Sequence, residues 1–150
     1  MRNVIVLAVD KSRYAVEIRW VHEVFTLGHV TPVPNAPPTI AGVTNFRGSI
    51  MPVLDLSSVL HELGRGPDAP VRLRPPPVPG DGAIILEIDE VRAAFRVDNV
   101  AEVSTLPEGQ TPDTLIDSTG REIDLLSPPE LLQAALAATL AVVESGKTTT

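Results

Sequence analysis

A stretch of nineteen residues occurs twice in this chain. Residues 9–27 and 88–106 align without gaps and share eight identical positions. The identical pairs are Asp10/Asp89, Arg13/Arg92, Ala15/Ala94, Val21/Val100, Glu23/Glu102, Val24/Val103, Thr26/Thr105 and Leu27/Leu106. An internal repeat constrains the fold strongly, because each copy is expected to form the same structural unit. The repeat predicts two similar β-units that share one body.

The second copy looks shorter than the first. The sequence Asp-Leu follows the first copy at Asp55 and the second copy at Asp124, 28 residues after Leu27 but only 18 after Leu106. About ten residues, at about 3.3 Å each, correspond to one strand and a turn. We therefore expect the second unit to lack a strand or to replace it with a loop, which would expose a sheet edge.

Local patterns predict a mainly β protein with one C-terminal helix. Residues 4–9 form an apolar, β-branched run, and residues 14–18 alternate in polarity, as a half-buried partner strand does. Residues 64–82 contain six prolines and predict a surface loop. Ser127, Pro128 and Glu130 have the spacing of a helix start. The prediction is a single domain over 1–150, with halves 1–63 and 83–126, a loop at 64–82 and a helix at 127–145.

Composition excludes several classes of function. The chain has no cysteine, so disulfides and thiolate zinc sites are ruled out, and its net charge of -7 argues against binding nucleic acid. The three histidines lack metal-ligand spacing, and neither a nucleophile-elbow motif nor a phosphate-binding glycine loop is present. We expect no catalytic residues, no metal and no cofactor. The short apolar start and the lack of an 18-residue apolar stretch predict a soluble, cytoplasmic protein without membrane insertion.

One polar turn is a candidate binding element. Asn45-Phe46-Arg47-Gly48 leads directly into an apolar strand over residues 50–56. Arginine on a tight turn beside a strand presents a charge at a fixed position. Asn45 is expected to bond the local backbone, and Gly42 and Gly48 to allow positive φ or close approach. The alternative is that Arg47 only bonds a turn carbonyl or Asp55.

Four motifs, taken in order, resemble one known family. They are residues 21–24 (Val-His-Glu-Val), 33–37 (Val-Pro-Asn-Ala-Pro), 40–56 with the turn just described, and 96–100 (Arg-Val-Asp-Asn-Val). Together they resemble the CheW-like coupling proteins of bacterial chemosensory arrays, over roughly residues 4–132. The resemblance implies two packed SH3-like β-barrels without catalytic activity. It also implies a scaffold that binds the cytoplasmic tip of a methyl-accepting chemoreceptor, other CheW-like proteins and the regulatory domain of a CheA-type histidine kinase.

The resemblance also implies a receptor-binding site. Carried over position by position, the site comprises Val21, Glu23, Gly42, Asn45 and Arg47, with Val24 and Phe46 adding apolar contact. A receptor tip is a helical bundle, and an apolar groove with fixed polar anchors suits recognition of a helix. Arginine can offer a bidentate fork to a carboxylate.

The shortened second copy modifies this expectation. In the family each half supplies a kinase interface, so we expect an accessory adaptor that binds receptors or another coupling protein without coupling the kinase directly. The apolar C-terminal helix or an exposed sheet edge is the predicted route to a homo-oligomer. A second hypothesis is a small-ligand-binding β-barrel protein with its pocket between the barrels. An enzyme is the least favoured reading.

Overall fold

The computed structural model describes residues 1–65 and 75–147. The strands in this part of the chain are β1 (Arg2–Val9), β2 (Ser12–Glu17), β3 (Val21–Thr26), β4 (Ile40–Phe46), β5 (Ser49–Asp55), β6 (Gly82–Ile88), β7 (Val91–Val97), β8 (Asn99–Leu106), β9 (Thr114–Ile116) and β10 (Glu122–Leu125). The helices are α1 (Leu56–Glu62) and α2 (Pro128–Lys147), and a 3-10 turn spans Ile18–Trp20. The predicted loop 64–82 lies partly outside the described residues; within it, residues 75–81 form neither helix nor strand.

The strands form two sheets with the same connectivity. Sheet A has the order β8-β1-β2-β10-β9, and sheet B has the order β3-β6-β7-β5-β4. In each sheet one inner pair is parallel, β2 with β10 and β7 with β5, while the other pairs are antiparallel. The predicted class, mainly β with two β-units and a C-terminal helix, is confirmed, and five-stranded sheets of this kind are compatible with SH3-like barrels.

The repeat forms two equivalent β-hairpins, and each hairpin is followed by a third strand that joins the other sheet. β1–β2 matches β6–β7, and the hairpin turns carry Asp10 and Asp89 at the same repeat position, with φ of 50° and 55°. The third strand of each copy then pairs with the hairpin of the other copy: β3 with β6, and β8 with β1. The two copies therefore exchange strands.

This exchange corrects the predicted division of the chain. Sheet A takes β1 and β2 from the first half and β8, β9 and β10 from the second, while sheet B takes β3, β4 and β5 from the first and β6 and β7 from the second. Residues 1–63 and 83–126 therefore do not correspond to the two sheets. Local patterns identified several strands, among them β1, β2 and β5, but which strand pairs with which is decided by long-range packing that periodicity does not report.

The predicted loss of a strand from the second copy is wrong. β9 is present, although it has only three residues against seven in β4. The register also shows that Asp124 is not the counterpart of Asp55, because Val53 and Leu125 pair with the equivalent residues Ala94 and Ala15. The counterpart of Asp55 is thus Ser127, the residue before α2, so the second copy is shorter by seven residues.

Most of this shortening falls in one loop. A backbone bridge joins Thr31 to Val43 in sheet B, and the equivalent bridge joins Glu108 to Leu115 in sheet A. These bridges link the segment after β3 to β4, and the segment after β8 to β9. The segment between the bridged residues comprises residues 32–42 in the first copy and residues 109–114 in the second.

Three apolar clusters hold the molecule together. One cluster lies inside each sheet: Val4, Val6 and Leu115 belong to the cluster of sheet A, and Val53 and Ile85 to that of sheet B. The third and largest lies between the sheets and includes side chains from both sheets and both helices. Separating the two sheets would expose this shared core to water at a cost of about 25 cal/mol per Å² of apolar surface. We therefore expect the two sheets to unfold together.

The C-terminal helix begins and ends close to its predicted bounds of 127–145. Its start is capped by Ser127, whose Oγ accepts from the backbone N–H of Glu130 at 3.5 Å. One face, with Leu131, Leu132, Ala135 and Ala138, is buried in the core between the sheets. A second face leaves Leu136, Leu140 and Val143 about half exposed. The helix therefore covers the junction of the two sheets and not a sheet edge.

Candidate partner-binding site

The turn between β4 and β5 holds an arginine in a left-handed conformation. Phe46 and Ser49 are the last paired residues, and the two residues between them, Arg47 and Gly48, have φ of 50° and 85°. Two positive φ values are typical of the type I′ turn, which suits the twist of a hairpin. Asn45 Oδ1 accepts from the backbone N–H of Gly48 at 2.9 Å, which confirms the expected role of Asn45 in the turn. The side chain of Arg47 is 72% exposed.

The guanidinium of Arg47 is fixed by a carboxylate and an aromatic ring. Its two terminal nitrogens donate to the two oxygens of Glu23 on β3, both at 3.2 Å. Its central carbon lies 4.8 Å from the centre of the Phe46 ring, and that ring lies 4.8 Å from the ring of Phe25. A bidentate pair and a cation–π contact both restrict the side chain. The alternative partner, Asp55, instead accepts from Arg96 in a buried ion pair.

The predicted site residues do not all lie at this corner. Glu23, Asn45, Phe46 and Arg47 come together where β3 faces the β4–β5 turn. Val21 is half-buried on β3 and packs against the core between the sheets. A direct role for it in binding stays a prediction.

Gly42 occupies a position where the packing leaves no room for a side chain. The register of β4 on β5 is irregular beside Gly42. A Cβ built there would lie 2.5 Å from the carbonyl oxygen of Thr31 and 2.7 Å from Val30 Cγ1. The position allows the bridge between Thr31 and Val43 to form. The expected close approach at Gly42 is thus confirmed, whereas contact between Gly42 and a partner stays a prediction.

Two exposed apolar side chains lie on the strands that carry this corner. Ile50, paired with Asn45 across the hairpin, is 76% exposed, and Val24, next to Glu23, is 43% exposed. Val24 was expected as an apolar contact, but Ile50 was not singled out. Its position opposite Asn45, two residues beyond Gly48, was the available signal, because the hairpin register places both side chains on one face.

The equivalent corner of sheet A lacks the projecting arginine. Gly120, with φ of 83°, is the counterpart of Gly48, and Thr119 stands in the place of Arg47. Glu102, the repeat partner of Glu23, accepts from Ser118 Oγ at 3.3 Å and pairs with Arg13 at 3.5 Å. The two copies thus keep a carboxylate facing the turn, but the residue before the turn glycine is an arginine in sheet B and a threonine in sheet A.

The turn of sheet A is instead organised around Asp117, whose side chain is 1% exposed. One carboxylate oxygen accepts from Thr119 Oγ1 at 2.6 Å and from the backbone N–H groups of Thr119 and Arg121, both at 2.9 Å. The other oxygen accepts from Arg13 at 3.1 Å. The hydrogen bond from the Thr119 hydroxyl, together with the backbone donors and the charge of Arg13, lowers the pKa of Asp117 against the opposing effect of burial.

We expect Asp117 to make stability depend on pH. Because its pKa is lower in the folded chain than the ordinary value near 3.9, its contribution is complete above about pH 5 and is lost as the pH falls through the folded pKa. Asp117→Asn should lower the free energy of unfolding by about 1–3 kcal/mol at pH 7. Urea titrations should show this difference shrinking below about pH 4. Asp113→Asn, at an exposed carboxylate, is the control; a difference that is constant with pH would contradict the role of the ionised group.

The structure gives no support to a ligand pocket between the sheets. That region is occupied by the largest apolar cluster, which includes Leu7, Leu54 and Phe95. A shallow hollow of about 700 Å³ lies on the outside of sheet A, and a cavity of about 350 Å³ lies beside α1. Residues 1–65 and 75–147 contain no cluster of three potential metal ligands, and neither helix there combines the length and apolar content needed to cross a membrane.

Comparison with known proteins points to one family. A family model described as CheW-like domain matches residues 3–128. The chemotaxis protein CheW of Treponema pallidum (strain Nichols) is 25% identical over 126 residues, covering 80% of this chain and 68% of that protein. The chemotaxis protein CheW of Rhizobium meliloti (strain 1021) is 36% identical over 59 residues, covering 39% of this chain but only 38% of that relative.

A solved structure has the same fold. The crystal structure of the scaffolding protein TtCheW from Thermoanaerobacter tengcongensis superimposes with a TM-score of 0.61 at 24% identity, covering 84% of this chain and 88% of that one. The matched family region ends at residue 128, where α2 begins. Nearly all of the C-terminal helix therefore lies beyond it.

Proposed function

Since this chain belongs to the CheW-like domain family, we propose that it is a non-enzymatic adaptor of a bacterial chemosensory array. It works in the cytoplasm and binds the cytoplasmic tip of a methyl-accepting chemoreceptor through the corner of sheet B that carries Arg47. The relatives named as chemotaxis proteins and the solved scaffolding protein support this role.

The conformation of Arg47 is the observation that carries the proposal. A non-glycine residue with positive φ is uncommon and costs about 1 kcal/mol or more. Glycine would relieve this cost, yet the position holds an arginine that is largely exposed and held by Glu23 and Phe46. Strain kept at an exposed, oriented side chain is typical of a binding site.

The surroundings of Arg47 suit a helical partner. Ile50, on the hairpin that carries Arg47, supplies exposed apolar surface, and Val24 is exposed on the face of β3 opposite Glu23. The two terminal nitrogens of Arg47 each donate once to Glu23, which leaves its Nε–H and the outer N–H groups of the fork as donors for a partner. A helix that offers an acidic side chain or its terminal carbonyls beside an apolar stripe matches these groups.

We expect Arg47→Glu to reduce capture of a chemoreceptor cytoplasmic hairpin at least about tenfold, because a carboxylate beside Glu23 repels the acceptor that arginine attracts. Arg47→Gly should weaken capture similarly while keeping or raising the free energy of unfolding by up to about 1 kcal/mol, because glycine tolerates positive φ. A pull-down and urea titrations measure the two quantities.

Arg121→Glu is the matched control, since Arg121 is an exposed arginine at the equivalent turn of sheet A. Its capture of the hairpin should equal that of the wild type. Unchanged capture by both Arg47 variants, or equal loss with Arg121→Glu, would refute the site while leaving family membership intact.

The kinase and a second coupling protein are further proposed partners. The expectation that the chain does not couple the kinase was based on a missing strand, and β9 removes that basis. We therefore propose that sheet A is also available for the regulatory domain of a CheA-type histidine kinase or another CheW-like protein. The same pull-down with each of these domains tests it, and failure to capture the kinase regulatory domain would restore the accessory reading.

A homo-oligomer remains a proposal for the exposed face of α2. Leu136, Leu140 and Val143 follow helical spacing and are about half exposed. Three such side chains offer much less than the roughly 800 Å² per partner of a standard interface. Any self-association through this face is therefore expected to be weak, and sedimentation of the wild type against Leu140→Glu measures it: a tight dimer unaffected by that change would exclude this face.

A further inference from the structure

Six prolines surround the cavity beside α1. It has a volume of about 350 Å³, and the prolines are Pro32, Pro37, Pro38, Pro75, Pro76 and Pro77. Most ligand pockets have volumes of about 300–1,000 Å³, are mainly apolar and carry a few polar groups. This cavity is at the small end of that range.

One wall of the cavity belongs to the part of the repeat that is longer in the first copy. This wall is the loop after Thr31, and the corresponding loop of sheet A is shortened between Glu108 and Leu115. Sheet A therefore lacks the wall that the cavity needs. Loops carry binding residues more often than the strands that they connect, so a loop that is longer in one of two equivalent units is a candidate binding element.

The walls favour an aromatic ligand. The ring of each proline fixes its backbone φ, so the cavity walls lose little conformational entropy when a ligand binds. Proline rings present C–H groups, and the face of an aromatic ring is electron-rich. Proline-rich peptides dock on aromatic grooves by this contact, and here the roles are reversed.

The polar groups at the cavity favour an uncharged hydrogen-bond donor. The carboxylate of Asp55 lines the cavity, and Arg96 pairs with it, so its charge is already compensated. Ser58 also lines the cavity.

We propose that this proline cavity binds a neutral aromatic ring that carries one N–H or O–H donor. Indole and phenol have this chemistry, and so do the side chains of tryptophan and tyrosine on a partner protein. The ring packs between the prolines and its donor reaches the oxygens at Asp55 and Ser58. The site is separate from the Arg47 corner, although β4 carries Ile40 at the cavity and leads into Arg47 at its other end.

Chemical-shift titration of the full ¹⁵N-labelled chain tests the proposal with four probes: indole, phenol, N-acetyl-tryptophanamide and cyclohexanol. We expect saturable shifts with indole or phenol below about 5 mM, centred on Val30, Ala36 and Ser58. Cyclohexanol, which keeps the hydroxyl but lacks the aromatic face, should bind at least about fivefold more weakly. Binding of N-acetyl-tryptophanamide as well assigns the site to a partner side chain, and binding of the small probes alone assigns it to a free metabolite.

Ala36→Phe fills the cavity with a ring of the chain itself and should weaken indole binding at least about tenfold. Ala36→Leu is the smaller replacement, used if the first variant does not give a wild-type spectrum. Absence of saturable shifts with every aromatic probe, equal binding of cyclohexanol, or indole binding unaffected by the filling variants would overturn the proposal. Chemoreceptor capture does not enter these measurements, so they are independent of the proposed adaptor role.

Discussion

Cutting the chain within residues 66–74 should leave two fragments that are each unfolded alone and that fold when mixed. Four ladders join strands from opposite sides of the cut: β1 with β8, β2 with β10, β3 with β6 and β5 with β7. Each fragment alone keeps only isolated hairpins and short pairs, which are marginal in water. Far-ultraviolet circular dichroism of each fragment and of the equimolar mixture measures this.

The uncut chain is the control for the mixture, which should recover most of its β signal and a cooperative urea transition. The competing model, in which residues 1–63 and 83–126 fold as separate barrels, expects β signal and cooperative unfolding in each fragment alone. Either fragment folding by itself would contradict the strand exchange.

Gly42→Ala should lower the free energy of unfolding by about 3 kcal/mol, enough to remove a large part of the stability of a small domain. A methyl group at this position would lie 2.5 Å from a backbone oxygen, and backbone cannot move aside as a flexible side chain can. The φ of Gly42, 155°, is also one that side chains rarely adopt. Urea titration measures the loss.

Gly28→Ala is the matched control, because a Cβ on Gly28 meets nothing within 4 Å. Its free energy of unfolding should stay within about 0.5 kcal/mol of the wild type. If the two substitutions had equal effects, the close approach of Thr31 to Gly42 would not matter for stability. A chemoreceptor-binding defect in Gly42→Ala would then have to come from direct contact.

Much of the fold could be predicted because its signals are local. The repeat predicted two similar β-units, and the spacing around Ser127 predicted the start of α2. At the candidate site, Asn45 and Gly48 had the residue types that a tight turn demands, and the structure gives them those roles. The repeat is found by comparing its two copies, and each of the other features depends on residues within a few positions of one another.

The features that escaped prediction depend on distant pairing. The similar sequences at Asp55 and Asp124 suggested equivalence, but the register makes Ser127 the counterpart of Asp55. The exchange of β3 and β8 could not be predicted from local sequence, because the polarity pattern of a strand does not depend on which strand it pairs with. The ion pair between Glu23 and Arg47 joins residues 24 positions apart, and it forms because sheet B brings β3 beside the β4–β5 turn.

The strand exchange has a mechanical consequence for a scaffold. A load applied by a partner at Arg47 enters sheet B through the β4–β5 hairpin. From there it reaches sheet A through the core between the sheets and through the short connections that carry β3 and β8 across. Within residues 1–65 and 75–147 both of these connections are short: residues 18–20 precede β3, and Asp98 alone precedes β8. We therefore expect the two sheets to move together, so that a displacement of sheet B also displaces sheet A.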